Sequence, residues 1–107
     1  NVFLVNHCPL MLFSGERGRN ITPDKIGGPV TRSMLERCDD YLREVVDIMG
    51  AKVVIGVGNY AKNRATSAFH GSDVRISSCW HPSPASPLAN RNGGADWRAN
   101  FKSVLPE

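Results

Sequence analysis

The sequence predicts a layered α/β fold with a mainly parallel sheet, and three observations carry that prediction. The elements read in the order strand, loop, helix, strand, helix, strand, loop, helix. A strand, Gly56-x-Gly58 and a helix follow one another directly, as in a βα unit. A long segment, Ser33 to Met49, carries its apolar residues at helical spacing. The 107 residues suffice for one small domain and not for two.

The elements follow in chain order. Val2-Phe3-Leu4-Val5 is apolar and β-favouring and predicts a first strand, ended by "NHCPL", where Pro9 cannot donate to a ladder. The chain enters this strand directly from Asn1, without Met, so the expectation is the C-terminal part (residues 1–107) of a single longer domain. Met11 to Phe13 is apolar but short, and "SGERGRNITPDKI" reads as a polar loop. In that loop Thr22 is placed to cap a brief helical turn beginning at Pro23. Ser33 and Glu36 match a capping box for the long helix. Its stripe is Leu35, Cys38, Leu42, Val45, Val46 and Met49, and Gly50 is the expected stop. Lys52 to Val57 predicts a buried parallel strand, Asn59 to Phe69 a helix, and Val74 to Trp80 a third parallel strand. Ala95 to Leu105 predicts a last helix with Trp97, Phe101 and Val104 or Leu105 inward.

Composition narrows the function classes. Apolar residues make up 41% and charged residues 21%, ordinary values for a globular domain. No apolar run approaches the roughly 18 residues of a membrane span, so no membrane partner is expected. The net charge of +3 permits a polyanionic partner without demanding one. The three cysteines, Cys8, Cys38 and Cys79, have no metal-ligand spacing and sit in apolar sequence, so buried free thiols are expected. The three histidines, His7, His70 and His81, likewise lack ligand spacing, and no metal site is expected.

In parallel sheets, ligands gather beyond the carboxyl ends of the strands. Those ends are expected at Asn6-His7-Cys8, at Gly56 to Asn59, and at Trp80-His81-Pro82. A dinucleotide site lacks its third glycine and its acidic residue. Gly58 and Asn59 therefore form either a tight turn or a phosphate contact at a helix N-terminus. No nucleophile elbow surrounds any serine. His81 leads "HPSPASPLAN", where Pro82, Pro84 and Pro87 fix φ, Ser83 and Ser86 offer hydroxyls, and Asn90 offers an amide. Such a stiff loop of small residues fits a sugar-phosphate backbone, or it is a simple crossover.

Three stretches carry a family resemblance. "NHCPLMLFSGERGRNITPDKI", "VVIGVGNYAKNRA" and "HPSPASPLAN" resemble, in this order, segments of the single-strand-selective monofunctional uracil-DNA glycosylases. The resemblance covers nearly the whole chain. It implies a three-layer α/β/α sandwich around a mainly parallel sheet, incomplete in these 107 residues. It implies excision of uracil and some oxidised pyrimidines from single- and double-stranded DNA, with no metal or organic cofactor, in the nucleus. A monomer is the expected state.

Asn6 matches the asparagine that reads the uracil edge, its amide suiting the O4 acceptor and N3–H donor together. His81 matches the histidine placed at uracil O2, where negative charge collects as the base leaves. Pro82, Ser83, Pro84, Ala85, Ser86 and Asn90 match the loop that contacts and wedges DNA as the base is flipped, and Gly58 and Asn59, in the family's strand-turn-helix, are expected to contact DNA as well. Ala85 and Leu88 depart from the family, whose members often carry bulkier or polar residues there, including an arginine after His-Pro-Ser-Pro. No Gly-Met-Asn-Pro-Gly-Pro-type stretch occurs in the chain. That stretch supplies the family's water-positioning asparagine, so the chain alone is expected to be nearly inactive. The alternative reading is a non-catalytic module that binds uracil or DNA. An unrelated small α/β domain is a third.

Overall fold

The computed structural model describes residues 2–83 and 86–106. They form two units, the first running to Val45 and the second from Val46 onward.

In the first unit the expected strand over Val2 to Val5 is not formed. A strand exists only through a ladder, and no described strand pairs with this segment. Val2, Phe3 and Leu4 are exposed instead. Regular structure begins with a hairpin where the sequence suggested a loop. Strands β1 (Leu12–Ser14) and β2 (Arg19–Ile21) pair antiparallel, with Leu12 opposite Ile21 and Ser14 opposite Arg19. Gly18 N–H donates to the Gly15 carbonyl at 3.1 Å and closes the turn. A 3-10 turn over Pro23–Lys25 follows, with proline in its first position as expected. The Thr22 hydroxyl bonds the Asp24 carboxylate rather than a backbone N–H.

Helix α1 (Gly28–Met49) starts well before Ser33. Pro29 lies in its first turn, where a missing N–H costs nothing. Gly27 N–H donates to Thr31 Oγ1 at 2.6 Å. Ser33 is therefore an exposed residue inside the helix, and the capping box is not used. The stripe is as expected at its centre: Cys38, Leu42 and Val46 are buried. The helix stops at Gly50 with the paired bonds of a Schellman end, Ala51 N–H to Val46 O and Gly50 N–H to Asp47 O, both 3.1 Å.

The second unit holds a βαβ unit and a following helix. Strands β3 (Val53–Val57) and β4 (Arg75–Cys79) run parallel, Val53 opposite Arg75 and Val57 opposite Cys79. Helix α2 (Asn59–Ala68) connects them and packs on both strands. After a 3-10 turn (Arg91–Gly94), helix α3 (Ala95–Val104) packs against β4. Ala65, Ala68, Phe69, Cys79 and Ala89 are buried. Among the described residues the fold is thus mixed α/β, with one short parallel sheet and one short antiparallel sheet. Among the described residues no helix is long and apolar enough to cross a membrane.

Gly56 sits where α2 descends on β3. A Cβ there would lie 2.5 Å from Lys62 N and 2.6 Å from Lys62 Cα. Only a residue without a side chain lets the helix approach this closely. This contact brings the first turn of α2 down onto the strand end that carries the candidate site.

Candidate functional site

The site of the second unit is built from the last peptide of β4 outward. Trp80 follows the strand, and both of its backbone polar groups are held by α3. Its N–H donates to Asn100 Oδ1 at 2.8 Å, and its carbonyl accepts Trp97 Nε1–H at 2.6 Å. Trp97 and Asn100 are three residues apart, so one helix face presents both. Trp97 is in turn stacked on Phe101, with ring centroids 5.3 Å apart and planes 5° apart. One residue earlier, the Cys79 carbonyl accepts Gly58 N–H at 2.9 Å. The chain therefore enters His81 from a fixed peptide.

His81 is exposed, and its ring lies against Gly58. Its Nδ1 accepts the Ser83 backbone N–H at 3.0 Å. A ring nitrogen that accepts carries no hydrogen, so the neutral imidazole holds its proton on Nε2. Pro82 lies between these two residues, with its φ set by the ring. The result is an N–H donor at the end of β4 whose orientation is set by its own loop.

The loop continues with backbone bonds from Ser86 N–H to Ser83 O (2.8 Å) and from Ala89 N–H to Ser86 O (3.1 Å). Pro82 and Asn90 are exposed, and Ser83 and Ser86 are half-buried. Pro84 and Ala85 lie outside the described residues. Gly58 and Asn59 form the start of α2, and no side chain caps that end. Gly58, Asn59, His81, Pro82, Ser83, Ser86 and Asn90 all belong to the second unit.

Cys79 is buried, and burial pushes its thiol above the ordinary value of 9.0. A thiol held in its neutral form is a poor nucleophile, so Cys79 serves the packing behind His81 rather than nucleophilic chemistry.

Asn6 belongs to the first unit. It lies in an irregular segment, not at a strand end, and it is exposed. Its amide has no hydrogen-bond partner among the described residues. Next to it, His7 Nε2 meets Asp39 Oδ1 at 2.6 Å, with both side chains more than nine-tenths buried. Sequence reasoning missed this pair because its members stand 32 residues apart. One signal was present. Asp39 lies four residues after Leu35 and three before Leu42, an inward position where a carboxylate requires a partner.

No family model matches the chain. Curated relatives do. A single-strand selective monofunctional uracil-DNA glycosylase from Rattus norvegicus is 40% identical over 107 residues, covering 98% of this chain and 37% of the relative. Proteins of the same name from Bos taurus and Mus musculus are 37% and 36% identical over the same span. By sequence, the chain matches a fragment of a single-strand-selective monofunctional uracil-DNA glycosylase. It spans little more than a third of the length of these glycosylases, 38% of the bovine one. The match spans 98% of the chain, a stretch that includes Asn6, the Gly56–Asn59 turn and His81.

Proposed function

We propose that this chain is the base-reading and DNA-contacting part of a base-excision repair glycosylase that hydrolyses the N-glycosidic bond of uracil in DNA. The observation that carries the reading is the bond from Ser83 N–H to His81 Nδ1. It leaves Nε2–H as an outward donor, the group needed where negative charge develops on uracil O2 as the base departs. No proton has to move to stabilise that charge, because the donor is already in place. Asn6 reads the O4 and N3–H edge. Cytosine presents the opposite pattern at those two atoms and would leave the amide unpaired.

The loop from Pro82 to Asn90 contacts the DNA and enters the duplex as the base is flipped, while the start of α2 at Gly58 and Asn59 meets a backbone phosphate. The small Ala85 and Leu88 make a modest wedge, which favours single strands over duplex. The reading extends to oxidised pyrimidines, to a monomer acting in the nucleus, and to a complete three-layer α/β/α sandwich in the whole protein. The attacking water is positioned by residues that this chain lacks.

The test is uracil release from a labelled single-stranded oligonucleotide. Three proteins are compared: this chain, a chimera in which it replaces the matching 37% of the rat relative, and that chimera with His81→Ala. The expected order is little or no release by the chain and full release by the chimera. The variant should be slower by about a hundredfold or more. Release by the bare chain would require a water-positioning group within these residues. An inactive chimera that still binds DNA would favour a non-catalytic module.

A further inference from the structure

Asn6 and His7 are neighbours that face opposite ways. Asn6 is exposed, while the His7 side chain is buried to 7% exposure against Asp39, itself on the inward face of α1. In an irregular segment of this kind nothing periodic sets which side chain points out, since no ladder among the described residues holds the backbone. A buried, short, charge-assisted bond does set it, because breaking it would strand a polar group away from water. Val2, Phe3 and Leu4 before it and Leu10 and Met11 after it are exposed, and Val5 and Cys8 are only half-buried, so apolar burial anchors the segment weakly.

We infer that Asp39, through His7, is the positioning residue that turns the Asn6 amide outward and fixes its orientation for base selection. The inference rests on the proposed reading of Asn6 as the uracil reader. His7 Nε2–H donates to the carboxylate, the ring fills the space beside α1, and the peptide that carries Asn6 is thereby held from one residue away. Asp39 touches no base, and its effect is on selectivity.

The experiment measures binding of this chain to two single-stranded oligonucleotides by fluorescence anisotropy, identical except for one uracil or one cytosine. Asp39→Asn keeps the volume and removes the charge. It should lower the uracil-over-cytosine preference about fivefold or more, with the cytosine oligonucleotide bound as before. His7→Gln keeps a donor for Asp39 and should retain the preference within about twofold. Preference unchanged in Asp39→Asn would overturn the inference. So would an equal loss of affinity for both oligonucleotides, which marks a purely structural role. Loss of preference in His7→Gln as large as in Asp39→Asn would also overturn it, because the donor would then not be what matters. A chain with no uracil preference before any substitution would instead remove the reading of Asn6 on which the inference stands.

Discussion

Gly58 closes directly against His81. A Cβ on Gly58 would lie 3.2 Å from His81 Cβ and 3.3 Å from Cδ2, and the Gly58 φ is +89°. Two demands therefore meet at one residue: a backbone conformation that L side chains rarely adopt, and a ring packed where a methyl group would go. Gly58→Ala is expected to cost about 1–2 kcal/mol in unfolding free energy. Because the ring itself must shift, uracil release by the chimera should fall by more than that loss of stability explains. Denaturant unfolding beside single-turnover kinetics checks both, and an unchanged rate would detach Gly58 from the placement of His81.

Gly56 makes a different demand two residues earlier. Its φ is ordinary, and the obstacle is the backbone of α2, with Lys62 N at 2.5 Å and Ala61 C at 2.9 Å from a Cβ position. Backbone atoms cannot rotate aside as a side chain can, so the whole helix must move off β3. Gly56→Ala is expected to cost about 3 kcal/mol, more than Gly58→Ala. Urea unfolding of the two variants side by side gives the ranking, and the reverse order would refute it.

The second half of the chain was legible because its signals are local. The spacing of apolar residues and the glycines at 56, 58 and 71 placed β3, α2, β4 and α3 to within about two residues of their observed bounds. The first half was not. Val2 to Val5 has strand composition, but a strand needs a partner, and composition does not supply one. The β1–β2 hairpin uses strands of three residues, too short for alternation to register. Pro29 suits a first helical turn, but the Ser33 and Glu36 pattern points to a later start, so the true beginning of α1 at Gly28 is hidden. At the site, the family motifs marked Asn6 and His81. The bond to His81 Nδ1 and the partner of His7 are facts of three-dimensional contact, and no residue pattern near His7 announces Asp39.

The hold on Trp80 predicts an asymmetry between two substitutions of Asn100. Its Oδ1 accepts the Trp80 N–H at 2.8 Å in a partly buried place. Asn100→Ala leaves that N–H without its partner, at a cost of about 1–2 kcal/mol. Asn100→Asp keeps an acceptor oxygen and should retain most of the stability. Since Trp80 precedes His81, Asn100→Ala should also slow uracil release by the chimera, whereas Asn100→Asp should not slow it for this reason. Equal losses in the two variants would mean that Asn100 acts through something other than the Trp80 N–H.

Cys79 sets an alkaline limit to stability. Burial raises its thiol above the ordinary value of 9.0, so the folded chain holds the proton more tightly than the unfolded chain does. The sign follows from linkage. Below about pH 9 both states are protonated, and the buried thiol contributes its full stability. As the pH rises past the unfolded value, only the unfolded state ionises. It is stabilised accordingly, and folding weakens until the folded value is passed. The informative quantity is the difference between the chain and Cys79→Ala, which isolates the contribution of this thiol. The variant should be less stable at pH 7, because it leaves a small cavity. The gap between the two proteins should then narrow above about pH 9. Urea unfolding at a series of pH values measures it, and a gap that stays constant would mean that the Cys79 thiol does not titrate differently in the two states.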